Sequence, residues 1–283
     1  MAHWYIKKDG VVQRFRPLKK DGTEYQRITE GMALKAGAVR GTTDIHKVLG
    51  GIGGLGFWYM GLGVQAGLEV GLTNPAPAGL LDEEGALASC VGALLKSAKA
   101  VAKELSEQSA EEGKEIHDAI QTYLEGGPPS DNTILNRAQA DAMAWVNSMG
   151  LKAPFRCEHA LMYRGELLGE QVAYAGTADL VTPCVMGDWK TVNDDAWGSK
   201  RKPKWSEAAQ LAAYRFAAAR EGLTSKDAPC YNLYFGRQSG ALLCAHQWTE
   251  RALEHGLWLH VEAIKVAHKI GLLEGCIARS MKG

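Results

Sequence analysis

The amino-acid sequence predicts an α/β (α+β) protein, with a helical N-terminal half on a mixed central β-sheet flanked by helices. Three observations carry that expectation. Apolar residues recur at helical spacing through much of residues 42–149. Short runs rich in β-formers, punctuated by glycine and proline, occupy Phe155 to Thr191 and Tyr231 to Gln247. Helical patterns return after Ser206 and after Thr249.

The first 30 residues alternate apolar residues (Trp4, Ile6, Val12, Phe15, Leu18) with basic ones around turns at Asp9-Gly10 and Asp21-Gly22. They read as a small β-meander, either a docking or DNA-facing appendage or an edge hairpin with solvated lysines. From Thr42 to Leu72 the pattern is helical, with Thr43 or Asp44 as cap. It is broken by the glycine-rich stretch Gly50 to Gly56, which lacks the Gly-Lys-Ser/Thr ending of a P-loop and reads as a connector. Phe57-Trp58-Tyr59-Met60 is an aromatic cluster suited to core packing or to base stacking.

After a Pro-rich linker at Asn74 to Gly79, a long helix is expected from about Asp82 to Glu107, with an apolar stripe of Leu87, Val91, Leu94, Leu95, Ala98 and Val101. A second follows from Glu111 to Glu125, its buried face formed by Ile116, Ile120 and Tyr123 with His117 on the flank. A third spans about Asn132 to Met149. Strands are expected at Cys157 to Met162 and Leu167 to Ala178, and Glu158 lies on the first of them. Ser206 caps an alanine-rich helix on which Gln210 and Tyr214 share a face. A hairpin follows at Tyr231–Arg237 and Ala241–Gln247, and Thr249 caps a final helix to about His268. On that helix His255, His260 and His268 have spacings that give no common metal-binding face, so all three read as surface residues. The expected division is a β appendage (1–30), a helical region carrying His117 (31–150) and a core (151–283).

Composition narrows the functional classes. At 283 residues the chain can bury a full core as one large domain or two small ones. The 32 Lys and Arg balance 32 Asp and Glu, so a nucleic-acid site has to be a local basic groove. Six cysteines are scattered with no C-x-x-C pair, which argues against a zinc ribbon or iron–sulfur cluster and fits reduced thiols in a cytoplasmic compartment. Met1 is followed by polar, basic sequence, and no stretch approaches 18 apolar residues; neither secretion nor a membrane span is expected.

The chemistry concentrates at Gly176 to Thr191, two short strands joined at Thr182-Pro183-Cys184. Folded about Pro183-Cys184, Asp179 falls opposite Asp188. Alternation along the strand puts Asp188 and Lys190 on one side and Trp189 on the other. Two carboxylates that close are unfavourable without a cation between them, so the hairpin reads either as a divalent-metal site with a lysine beside it or as a surface hairpin with solvated charges. The run Lys200-Arg201-Lys202-Pro203-Lys204 holds four positive charges in five residues, a solvated loop or a patch for phosphates.

Together these pieces resemble the PD-(D/E)XK nuclease superfamily, and within it the RecB-like exonuclease branch that includes phage recombination exonucleases and the mitochondrial genome maintenance exonuclease. The matching segments are Gly113 to Tyr123, Gly176 to Asp179, Gly187 to Thr191 and Gln210 to Tyr214, in the family's order. Thr42 to Leu49 with Trp58 more faintly resembles a Thr-rich helix start in such proteins. The resemblance implies a restriction-endonuclease-like core and a Mg²⁺ or Mn²⁺ site formed by Asp179, Asp188, the Trp189 main-chain carbonyl and His117, with Glu158 as the upstream acid at a longer spacing than the family's. It implies that Lys190 acts on the attacking water and the phosphate, that Gln210 and Tyr214 support the lysine and contact the backbone, and that Lys200, Arg201, Lys202 and Lys204 bind DNA. The expected reaction is hydrolysis of DNA from strand ends, with single-stranded DNA as substrate, in recombination, repair or phage DNA metabolism. The setting is the cytoplasm of a bacterial or phage-infected cell. Phage relatives work with a single-strand annealing protein; the four-cysteine iron–sulfur pattern of other relatives is absent. A structure-specific endonuclease and a non-catalytic DNA-binding subunit are the alternatives.

Overall fold

The computed structural model describes residues 3–19, 22–25, 30–42, 45, 108–196 and 203–280. The glycine-rich stretch, the aromatic cluster, the Pro-rich linker, the helices expected at 42–72 and 82–107, and Lys200, Arg201 and Lys202 lie outside the described residues, except for Thr42 and Ile45 at the head of the first. By contacts the chain divides into Met1–Leu49 with Glu115–Gly283, and a second unit, Gly50–Lys114.

The first hairpin forms as expected, but the small sheet is not a meander within residues 1–30: its central strand is the first, and its third strand comes later in the chain. Strands β1 (Trp4–Lys8) and β2 (Val11–Arg14) join through Asp9 and Gly10, both at positive φ (50° and 83°), the left-handed pair that matches strand twist in a two-residue hairpin. A short helix, α1 (Glu30–Lys35), leads to β3 (Val39–Arg40), which pairs with the other edge of β1 to give the order β2-β1-β3. This small sheet docks on the core: the Thr42 hydroxyl donates to the Ala175 carbonyl (2.8 Å), and the Tyr5 and Thr177 hydroxyls lie 3.2 Å apart.

Helix α2 (residues 108–124) buries Ile116, Ile120 and Leu124, so Leu124 rather than Tyr123 completes its inner face. Helix α3 (Thr133–Ser148) starts at Asn132, whose side-chain oxygen accepts the N–H groups of Ile134 (2.9 Å) and Leu135 (3.3 Å).

The core is a five-stranded mixed sheet flanked by helices on both faces. Its strands are β4 (Arg156–Leu167), β5 (Glu170–Val181), β6 (Met186–Val192), β7 (Cys230–Gly236) and β8 (Leu242–Gln247), in that order. All pairs are antiparallel except β6–β7, whose parallel register requires a crossover, and helix α4 (Trp205–Arg220) supplies it. Leu167 belongs to β4 rather than opening the next strand: Leu168 and Gly169 both take positive φ (52° and 80°) and reverse the chain there.

Helix α5 (Glu250–Ser280) starts beside Thr249, whose hydroxyl accepts the Ala252 N–H (3.2 Å), and runs well past His268. It crosses α4 where a β-carbon on Gly256 would meet the Ala208 backbone, so glycine facing alanine sets the close approach. Two corrections follow in this layer. Helix α4 is not capped by Ser206; it begins after Lys204, whose backbone N–H is taken by the Glu207 carboxylate (2.8 Å). His260 is not a surface residue: it is fully buried with its ring edge-on to Tyr174 (4.5 Å between centroids), while His255 and His268 are exposed.

One apolar cluster packs α4 and α5 against the sheet, built on Leu161, Tyr174, Leu211 and Leu253. The other packs α2 and α3 against the opposite face and contains Trp189, edge-on to both Trp145 and Phe235.

Candidate active site

The site lies where β5 and β6 part. Their ladder pairs Val181 with Met186 and Leu180 with Gly187 and then stops, so Asp179 and Asp188 stand opposite each other at the first unpaired step. There the Trp189 N–H, with no carbonyl of β5 opposite it, donates instead to the Asp179 carboxylate (2.5 Å). Satisfying that buried N–H is what holds the aspartate inward. Trp189 itself turns to the α2–α3 face, and its burial anchors the strand from behind.

Four groups converge on this opening. His117 on α2 approaches Asp179, its Nδ1 3.7 Å from the carboxylate oxygen. Glu158 on β4 lies across from Asp179 by register, at a positive φ of 45° that interrupts the ladder at that pair. Counting through the turn made its spacing look long; cross-strand pairing brings it close. One ligand atom each of His117, Glu158 and Asp179 lie within 4.8 Å of one another. Asp188 stands beside this group, with one oxygen 2.5 Å from Lys190 Nζ. Lys190 also donates to Gln210 (3.2 Å), and the Gln210 amide donates to the Tyr214 hydroxyl (3.1 Å). The pair expected on one helix face is therefore joined to the lysine. Gly176 serves the same packing: a β-carbon there would overlap the Tyr214 ring and hydroxyl.

The electrostatics follow from two buried carboxylates at close range. Burial acts to raise the Asp179 carboxyl, but His117, Lys190 and the Trp189 N–H outweigh it and hold the group below its ordinary range. Burial pushes Asp188 up to about 6, with Lys190 opposing and Asp179 adding to the rise. Glu158 is pushed up to about 7, by burial first and then by Asp179. Burial works against the charge on Lys190 and on His117, yet the neighbouring aspartates keep both above their usual values. Excess negative charge at the centre is thus met by the Lys190 ammonium, with the His117 imidazole beside Asp179. The two carboxylates and one imidazole that lie together, with Asp188 beside them, fit a hard divalent cation, which would offset that charge.

Asn232 was missed by sequence reasoning. It is fully buried in β7, its Nδ2 donates to Asp188 (2.7 Å), and its Oδ1 accepts the Trp248 indole N–H (2.6 Å). Its one signal was a polar residue inside the apolar run Tyr231 to Phe235. Of the basic run, Lys204 is described and is exposed at the start of α4.

No protein-family model and no curated protein matches the chain. Among solved structures, a protein from Eubacterium rectale provisionally named an exonuclease aligns over 56% of this chain and 68% of its own, at 13% identity and a TM-score of 0.37. The protein SSO0001 aligns over 47% of this chain and 59% of its own, at 12% identity and a TM-score of 0.28.

Proposed function

We propose that this chain is a divalent-metal-dependent deoxyribonuclease of the PD-(D/E)XK type, acting as an exonuclease on free ends of DNA, single-stranded DNA above all. The observation that carries the reading is the convergence of Asp179, Asp188 and Lys190 at the parting of β5 and β6, with His117 and Glu158 from neighbouring elements. Asp179, Asp188, His117 and Glu158 would hold Mg²⁺ or Mn²⁺, with the Trp189 carbonyl as a further donor. A metal held there would supply a nucleophilic hydroxide near neutral pH and a counter-charge for the pentavalent transition state.

The residues have distinct parts. Lys190, kept protonated by the aspartates, acts as a donor that orients the attacking water and steadies charge on the phosphate, rather than as a base. Gln210 holds the lysine and is the member of the pair left to meet the DNA backbone, while Tyr214, buried behind it, holds Gln210. Lys204, with Lys200, Arg201 and Lys202 before it in sequence, neutralises phosphates on the approach. Helices α2 and α3 would border the strand's path, and a single-strand annealing protein is the expected partner in recombination.

End-labelled linear single and double strands, beside a closed single-stranded circle, test the reading under Mg²⁺ and Mn²⁺. Wild type should degrade the linear strands and spare the circle. Lys190→Ala should lower kcat by about 10²–10³ while leaving DNA binding in place. A cut circle would establish an endonuclease. Equal cleavage by wild type and Lys190→Ala would rule out catalysis at this site.

A further inference from the structure

We infer that Asn232 is a positioning residue that commits one oxygen of Asp188 to Lys190 and leaves the other for the divalent cation, and that Trp248 locks Asn232 in this orientation. The inference rests on the metal-dependent reading above. Asp188 and Asn232 are register partners across the parallel β6–β7 pair, and both are buried. A carboxamide presents a donor end and an acceptor end, and only a partner of fixed polarity decides which way it points. The Trp248 indole N–H is such a partner, since it can only donate. It meets Asn232 Oδ1 at 2.6 Å and so turns the NH₂ toward Asp188, where Nδ2 lies 2.7 Å from Oδ2.

Lys190 Nζ reaches that same Oδ2 at 2.5 Å. With two donors on one oxygen, Oδ2 is committed, and Oδ1 carries neither of these bonds. Asp188 then presents one oxygen to a cation, in a rotamer fixed from behind by the chain Trp248–Asn232–Asp188. The surroundings are closed: Tyr234, two residues on along β7, is fully buried with its hydroxyl donating to the buried Glu207 carboxylate (2.6 Å). A carboxylate here without its amide partner would swing to share both oxygens with the ammonium, taking it off the cation. Groups that orient metal ligands from behind typically change metal affinity by about 10–100-fold when removed.

Mn²⁺ titrations of the full chain, followed by thermal unfolding and by calorimetry without DNA, test this in wild type, Asn232→Leu and Trp248→Phe. The phenylalanine variant keeps an aromatic ring and removes the N–H donor, so it carries the test even where Asn232→Leu does not fold. The expected result is a half-saturating Mn²⁺ concentration raised about 10–100-fold in Asn232→Leu and by a smaller factor in Trp248→Phe. A purely structural role would lower the metal-free Tm without moving that midpoint, and an unmoved midpoint in either folded variant overturns the inference. Wild type that binds no Mn²⁺ overturns the metal-dependent reading, and this inference with it. Normal wild-type binding beside unmoved variants overturns the inference alone.

Discussion

Among the described residues, charged side chains are buried where a partner of opposite sign or a strong donor meets them. Lys190 between Asp188 and Gln210 is one case, and Arg215 is another. Its guanidinium, on α4, grips Glu250 of α5 through two hydrogen bonds (2.6 and 2.7 Å) and also donates to the Ala228 carbonyl. The hydrogen bonds from Arg215 hold the Glu250 carboxyl below its ordinary value of 4.5. A carboxyl depressed in the folded state adds stability that is fully present above its unfolded pKa and is lost as pH falls through the folded one. Wild type should therefore lose this contribution below about pH 4.5, and Glu250→Gln should flatten that part of the curve, as thermal unfolding against pH would show. Glu250 is more than half exposed, so the effect should stay within about 1 kcal/mol.

The residues of the site differed in how far the sequence disclosed them. Asp179, Asp188, Lys190, Gln210 and Tyr214 were legible because each lies in a short segment whose local period sets its direction. Asn232 was not, because its partner is fixed by a parallel register that forms only after α4 has crossed over. Glu158 was undervalued for a related reason, since a hairpin converts a long sequence spacing into a direct cross-strand neighbour. His260 was misplaced because its helix spacing was weighed for metal binding and not for the face that packs on α4 and Tyr174.

At the scale of elements, the site depends on how closely α4 can approach the sheet. Gly176 lets the Tyr214 ring lie against β5, and alanines on α4 face Gly256 of α5 from the other side. Gly176→Ala should displace Tyr214 and, through Gln210, loosen Lys190. The expected outcome is a fall in kcat of about tenfold or more with little change in KM for DNA, and overpacking that costs about 1–3 kcal/mol, read from cleavage kinetics and denaturant unfolding. Among the described residues most helices and strands were legible from their periods and most boundaries fell within a few residues of expectation, but α1 and β3 were not expected and α5 runs to Ser280 rather than ending near His268. The exceptions are informative: a left-handed Leu168-Gly169 turn moved one strand end, and a carboxylate reaching back to a backbone N–H, not a serine, starts α4.

At the scale of the molecule, the sheet is supported on both faces by helices that each deliver part of the site. His117 comes from the α2–α3 layer, and Gln210 and Tyr214, which hold Lys190, come from the α4–α5 layer; the cation would tie α2 to the strands that carry Glu158, Asp179 and Asp188. Cation binding to the folded state alone should therefore raise the temperature of global unfolding. At a cation concentration one hundred times Kd the stabilisation is about 2.7 kcal/mol. That should appear as a rise in Tm of several degrees, reversed by chelator and absent from Asp179→Ala.

Where β5 and β6 part, a carboxylate oxygen stands in for the strand carbonyl that the Trp189 N–H lacks. Asp179 is in that sense a piece of the sheet as well as a ligand. Replacement by Asn keeps an acceptor for the backbone and removes the charge; replacement by Ala removes both and leaves a buried donor stranded. The two variants should be alike in lost activity and unlike in stability, with Ala the weaker by about 1–3 kcal/mol. A descendant of this chain that gave up cleavage would therefore still need an oxygen at position 179 to keep its sheet closed.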